Sequence, residues 1–516
     1  MGEHRVRHWS ETLAQEIVAS KSEPYVIASG ITTSGPTHMG TACEFLYPSA
    51  LVKYLKDEKR AVDFLFVGDI MDAFDSIPKP LEQFTYLKEY LGKPLCQVPD
   101  PYDCCESYGD HFLSEIGTLM TDLEVSAKIV RANDLIAQGL CDRYAYLYYR
   151  EREKVLAIAK RVAELSEVSG LPEWVDIVMP ICENCGKIAT TRVLNFDGDR
   201  IGYACDKDVR YTRGCGHVGT TRIRNHRYKL YWRLDWPSRQ DFLRVSAELA
   251  GVDHHTRGGS WDTCVMVHKE IFGKDPPVGR MFGFVLLHGK KYSKSKGMGL
   301  SVQELLQLMP PPLIKYKLFK PDLDENKEFD PTGNNLIRLY EEYNRAAALY
   351  EQGTVHRAED KMVLAYSLST DRRRWCVDFA DMVVAYQIYE DWDKVSERLG
   401  DEEGVNYLRW YARNWINKQY LPEEYVFELR GQKVGNLTVE LHDFGQRLNE
   451  TMTDQEVHDF VYAFAQERGL KPPELFKALY YSLISKDHGP RLGRLIKALG
   501  LSKVKEILTN LYGKSN

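Results

Sequence analysis

Two apolar runs, PYVIASG at 24–30 and AVDFLFVGD at 61–69, bracket a single turn and helix. Each is the length of a buried strand, and the first ends in glycine, the second at an acidic cluster. Between them lies ITTSGPTHMGTACEFLYPSALVKYL, a glycine-bearing turn and then a helix expected from about Met39. Strand, loop, helix, strand is the beginning of a doubly wound parallel sheet, which sets the class as α/β. Ligands of such sheets bind beyond the carboxyl ends of the strands. The TTSGPTHMG loop and the GDIMDAFD segment therefore share one crevice.

The remaining chain divides by texture. Residues 8–20 read as an amphipathic helix, and 100–180 as mostly helical. Residues 181–230 change to cysteine, glycine, Arg and Thr with little helical period. LYWRLDW (230–236) and MFGFVLLHG (281–289) read as further sheet elements flanking the glycine-rich GVDHHTRGGSWDT. After residue 300 apolar residues recur every three to four positions, which predicts helices, with a boundary near 355 at EQGTVHRAED. The 516 residues suit about three domains. A net charge of −6 excludes a basic nucleic-acid coat, so any polyanion must meet a local patch. The N-terminus has no apolar core of a signal peptide, and no run is long enough to span a bilayer, so a cytoplasmic protein is expected. Eleven scattered cysteines are no disulfide framework.

Four of those cysteines have ligand spacing. Cys182 and Cys185 in CENCG can share one tetrahedral ion, and Cys205 and Cys215 complete a set of four, with His217 an alternative to Cys215. Gly186, Gly214 and Gly216 supply tight turns. Four protein ligands leave no open position, so a zinc ion here supports folding. The adjacent Cys104 and Cys105 lack ligand spacing and read as ordinary thiols.

The turn after the first strand carries SGPTHMGT, residues 34–41. Gly35 and Gly40 let backbone approach a ligand, and the helix start directs amide donors at an anion. His38 stands at that junction, either to cap the helix or to donate to a phosphate. GKKYSKSKGMG, residues 289–299, places Lys290, Lys291, Lys294 and Lys296 among glycines. Lysines on such a loop clamp charge that builds as a nucleotide is transferred and pyrophosphate leaves.

These two stretches resemble the HIGH and KMSKS signatures of the class I aminoacyl-tRNA synthetases. With VGDIMDAFDSIPK, ICENCGKIATT, RLDWPSR, GVDHHTRGGSWDT and FKALYYSLISKDHGPRLGRLI, the chain most resembles the class I lysyl-tRNA synthetases from residue 29 to near its C-terminus. The resemblance implies a Rossmann-type catalytic domain in two halves (1–100 and 231–300), split by a zinc-bearing insertion (101–230). A stem-contact region (301–355) and an α-helical anticodon-binding domain (356–516) follow. It implies lysine and ATP as substrates with Mg2+, lysyl-adenylate as intermediate, and tRNA as acceptor. Carried over position by position, Ser34, Gly35, His38, Gly40 and Thr41 match the ATP signature. Gly258, Gly259 and Ser260 match the ribose turn, and Lys291, Lys294 and Lys296 the loop. Gly30, Thr32, Asp253 and His254 match the amino-acid pocket. The chain departs from the family pattern at Thr41, at Tyr292 and at GRMFGF (279–284).

A lysine pocket needs a carboxylate for the ammonium, because a buried unpaired cation is costly. Asp69, Asp72 and Asp253 are the candidates. Trp232 and Trp236 either pack the methylene stem or belong to the core. Basic residues interleaved with aromatics at 210–233, and the basic segment 486–505, are candidate RNA contacts. DRRRW (371–375) reads as a solvated face. Two other readings stand beside the lysine ligase: a paralogue that adenylates another amino acid or serves a non-tRNA acceptor, and a catalytically inactive RNA-binding protein.

Overall fold

The computed structural model describes residues 7–287, 289–291, 301–353, 360–370, 375–427, 429, 437–449 and 451–513. Lys294, Lys296 and Tyr292 lie outside the described residues, as do the side chain of Lys291, residues 354–359 and most of DRRRW. The chain forms two compact units. The first comprises Met1–Glu304, Lys315–Phe329 and His356–Ser369; the second comprises Leu305–Ile314, Asp330–Val355 and Thr370–Asn516.

The first unit is built on five parallel strands. They are β1 (Tyr25–Thr32), β2 (Val62–Asp69), β3 (Lys128–Arg131), β4 (Ala247–Gly251) and β5 (Val278–Phe282), in the spatial order β5-β4-β1-β2-β3. Every neighbouring pair is parallel, with Ile27 opposite Phe64 on one side and Ala247 on the other. The chain leaves β1 toward β2 and β3, then returns to the other side for β4 and β5. That reversal beside β1 opens a crevice at the carboxyl ends of β1 and β4.

Two helices pack together beside the sheet. Helix α1 (Trp9–Ser20) begins after His8, whose ring accepts from the Ser10 N–H. Helix α2 (Met39–Asp57) follows β1 and buries Phe45, Leu46, Tyr47 and Leu51. Phe45 meets Phe66 of β2 edge to face at 6.1 Å. Full burial of such side chains contributes about 1.5–3 kcal/mol each, which seats the helix firmly on the sheet.

Two sheet assignments read from sequence need correction. LYWRLDW is not a sheet element of this fold. Tyr228–Leu230 pairs antiparallel with Val178–Pro180 in a separate two-stranded sheet, and the chain then enters helix α3 (Trp232–Phe242). Trp232 and Trp236, one helical turn apart, stack at 5.1 Å, and Asp235 pairs with Arg239 four residues on. These i,i+4 contacts exist only in a helix. MFGFVLLHG is likewise split. Phe282 ends β5, and Val285–Leu287 pairs with Lys290–Lys291 and Lys327–Glu328 in another small sheet. β3 and β4 were not anticipated.

The insertion carries a three-stranded antiparallel sheet of Thr191–Asp197, Arg200–Cys205 and Val218–Arg222. The second unit is helical. Asn334–Gln352, Phe379–Tyr389, Glu402–Asn417, Pro472–Ile484 and Leu492–Leu499 are among its helices. They pack around fully buried Trp415 and a Tyr340–Phe379 stack at 3.9 Å. Arg494 is buried there against Asp378 and Asp381, and it donates to the Tyr425 hydroxyl at 2.8 Å. No helix among the described residues is long and apolar enough to cross a membrane.

Candidate active site

A cavity of about 680 Å³ lies at the carboxyl ends of β1 and β4. It gathers Gly30, Thr32 and Ser34 from β1 and its loop, and His38, Gly40, Thr41 and Glu44 from the start of α2. Asp69 ends β2 and Asp72 follows it, Trp232 and Trp236 come from α3, and Asp253 and His254 from the turn after β4. Gly35, Gly258, Gly259 and Ser260 are not in its lining.

Local backbone explains two of the glycines. A Cβ on Gly30 would stand 2.6 Å from the Val67 carbonyl oxygen, so β1 and β2 can close to this spacing only with glycine there. Gly258 has φ +71°, and a Cβ would meet the Ser166 backbone at 2.7 Å. Its carbonyl and that of Gly259 both accept from Arg233, at 2.9 and 2.8 Å, just before Ser260 opens a helix (Ser260–Val267).

His38 is the N-cap of α2. Its Nδ1 accepts from the Thr41 N–H at 3.1 Å, while the first turn of the helix, through Gly40 and Thr41, opens on the cavity. The capping role raised from sequence is therefore real. It also leaves the helix start facing the space where an anion is favoured.

The acidic wall is already charged from within. Asp69 accepts from Lys229 and from Arg239, each at 2.8 Å. Burial alone would raise its carboxyl, but the two cations outweigh this and hold it well below the usual carboxylate range. Asp72 accepts from Lys229 and from the Thr32 hydroxyl. Asp235, also buried, is pushed up to about 6 by burial, against the pull of Arg239 and Lys229. Lys229, with no exposed side chain, is thus the hub of the network, and the sequence reading did not single it out.

On the other side of the cavity, Trp232 and Trp236 stack, and the His254 ring lies 5.9 and 5.4 Å from them. Burial lowers the His254 pKa. The lining also holds two acids not foreseen from sequence, Glu44 and Glu248. Glu44 accepts from the Ser29 hydroxyl at 2.9 Å, and Glu248 from the Gln240 amide at 2.7 Å. Burial, with a smaller push from Glu248, raises the Glu44 carboxyl to about 8; Ser29 and the Gly251 N–H oppose this. A signal existed: each is a lone acid within an apolar stretch, ACEFLY and SAELAG.

The four cysteines converge. The sulfurs of Cys182, Cys185, Cys205 and Cys215 lie within 4.8 Å of one another, with Cys182–Cys215 and Cys185–Cys205 each at 3.7 Å. A tetrahedral ion with sulfur ligands at about 2.3 Å needs sulfurs about 3.8 Å apart, so the set fits zinc. Backbone knuckles hold it: the Gly186 N–H donates to Cys182 O and the Gly216 N–H to Cys205 O, both at 2.9 Å. His217 instead meets Glu183 at 2.8 Å and stands outside the group. A second group combines Asp100, Cys104, Cys105 and His111, whose ligand atoms also lie within 4.8 Å. The Asp100 carboxylate gathers the N–H groups of Tyr102, Cys104 and Cys105, which folds both thiols toward His111. Sequence spacing missed it because adjacent cysteines are not a knuckle; the turn around Asp100 brings them together.

A doubly wound parallel sheet with its cavity at the strand-order reversal, capped by a helix start, defines an α/β enzyme of the nucleotide-binding type. The chain belongs to the class I (K) tRNA synthetases, whose family model matches residues 7–371. Full-length relatives agree. The lysine–tRNA ligase of Archaeoglobus fulgidus is 31% identical, over 97% of this chain and 99% of that protein. Those of Thermoplasma acidophilum and Methanocaldococcus jannaschii are each 29% identical, over 98% and 96% of this chain and 98% of each relative.

Proposed function

We propose that this chain is a lysine–tRNA ligase. A lysine carboxylate oxygen attacks the α-phosphorus of ATP, the new O–P bond forms as the α–β phosphoanhydride breaks, and pyrophosphate leaves with the bonding pair. A hydroxyl of the terminal ribose of tRNA(Lys) then attacks the acyl carbon, and AMP leaves. The observation that carries this reading is a family match joined to a cavity that places a helix start, aromatic rings and carboxylates around one space.

In this reading the first turn of α2, with Ser34, Gly35, His38, Gly40 and Thr41, takes the triphosphate, and Gly258, Gly259 and Ser260 take the ribose side. Gly30, Thr32, Asp253 and His254 hold the amino-acid backbone, with Trp232 and Trp236 along its methylene stem. Lys291, Lys294 and Lys296 neutralise charge on the leaving pyrophosphate. Magnesium accompanying ATP offsets phosphate charge. Cys182, Cys185, Cys205 and Cys215 hold zinc in a structural role. Residues 301–355 contact the tRNA stem, and 356–516 bind the anticodon.

The test is amino-acid-dependent exchange of pyrophosphate into ATP across the twenty amino acids, with and without tRNA, followed by charging of tRNA(Lys). Exchange with lysine and charging of that tRNA are expected. Exchange with another amino acid, or none, overturns the reading.

A further inference from the structure

Arg233 is a half-buried guanidinium without a counter-ion. It is the second residue of α3, and among the described residues no carboxylate forms an ion pair with it. Its bonds go to neutral oxygens instead. Nη1 donates to the carbonyls of Gly258 and Gly259 and to the Thr263 hydroxyl, at 2.9, 2.8 and 2.8 Å. A cation drawn from water with no carboxylate beside it is costly. Burial lowers its pKa accordingly, against a pull from Asp262.

We infer that Arg233 is a positioning residue for the nucleotide: it fixes the turn at Gly258 and Gly259, and through that turn sets the affinity for ATP. This deepens the lysine-ligase reading and rests on its assignment of the turn to the ribose side.

Geometry supports the placement. Trp232 lines the cavity, and Arg233 is rotated about 100° from it around α3, so it faces the turn rather than the open space. The turn runs on from Asp253 and His254, which do line the cavity. Its backbone is held from both sides. The Gly258 N–H donates to the Asp262 carboxylate at 2.8 Å, and the Gly259 N–H to the Thr256 carbonyl at 2.7 Å. No side chain fits at Gly259, where a Cβ would stand 2.6 Å from the carbonyl oxygens of His254 and Thr256.

Charge supports it too. Two carbonyl oxygens converge on one nitrogen, and like dipoles gathered this way repel unless a donor sits between them. Withdrawing the guanidinium therefore opens the turn. Its uncompensated charge also favours an anion in the adjoining cavity. Alongside the larger effect of burial, Arg233 opposes a charge on the His254 ring.

Pyrophosphate exchange is measured with the full chain and with Arg233→Met, Arg233→Lys and Thr263→Val, varying ATP and lysine separately. Arg233→Met keeps an apolar stem and removes every donor. It is expected to raise KM for ATP by about 10²-fold, the scale of a misplaced binding group. KM for lysine and kcat should stay near the parent values, because the ribose is held alike in the ground and transition states. Arg233→Lys keeps the charge and three donors, so it should return to within about tenfold of the parent. Thr263→Val removes only the buried hydroxyl that shares Nη1, and should raise KM for ATP less, again without touching lysine; it carries the test if Arg233→Met does not fold. An unchanged KM for ATP in both Arg233→Met and Thr263→Val, equal losses of ATP and lysine, or a lysine variant no better than methionine overturns the inference while the lysine reading stands. Exchange driven by a different amino acid sinks the lysine reading alone, and the ATP constants are then taken with that amino acid. A parent that exchanges with none sinks both.

Discussion

The Lys229 ammonium lies 2.8 Å from an Asp69 carboxylate oxygen, though the two residues are 160 positions apart. Lys229 follows the cysteine-rich insertion and Asp69 ends β2, so this contact ties the insertion's exit to the core sheet. Removing one partner strands the other in a buried site, which costs about 3–5 kcal/mol. Lys229→Met is therefore expected to lower the urea midpoint of the catalytic unit sharply. It should also raise the Asp69 carboxyl toward protonation. A midpoint unchanged within error would show that Arg239 alone neutralises Asp69.

The Glu44 carboxyl carries a pH signature. Its folded pKa is raised from 4.5 to about 8, so between those values the folded chain holds a proton that the unfolded chain has released. Stability from this group is complete below the unfolded value and falls as pH rises through the window. The thermal midpoint of the ligand-free protein is expected to decline from pH 5 to pH 8, with a flatter slope in Glu44→Gln. Scanning fluorimetry across that range checks it, and identical slopes would contradict it.

Zinc in the insertion should be structural. Cys185→Ser is expected to remove one equivalent of zinc, measured by elemental analysis of freshly purified protein. The antiparallel sheet around Cys205 should loosen with it, seen as faster amide exchange at Arg200–Cys205. Activity of whatever fraction stays folded should hold, because four sulfur ligands leave no position for substrate. Full zinc content in the variant would mean that other groups bind the metal.

The sequence exposed what local pattern encodes. The β1–α2–β2 unit is visible as apolar runs ending in glycine and aspartate, and the crevice beyond it follows from topology. The four-cysteine set is visible from Cys182-x-x-Cys185 and the glycines around Cys215. Helix α3 was misread because LYWRLDW is dense in large residues, and only the stacking of Trp232 on Trp236 across a turn selects helix over strand. β3 was missed because Lys128–Arg131 is a four-residue edge strand with no buried member. Pairing of Asp69 with Lys229 and Arg239 was not legible, since distant cations met by folding leave no local trace.

His38 combines two duties that one substitution cannot separate, so a pair is needed. Its Nδ1 caps α2 through the Thr41 N–H. Replacing a capping residue by alanine costs about 1 kcal/mol. The ring also stands where the triphosphate is expected, and losing one positioned donor to a transition state costs about 10²–10³ in rate. His38→Ala should lose on both counts. His38→Ser restores a capping oxygen but cannot reach across the cavity, so it is expected to recover the thermal midpoint and leave pyrophosphate exchange at the alanine level. If serine recovers the rate as well as the midpoint, the ring serves the helix alone, and the phosphate contact must come from the amides of the first turn of α2.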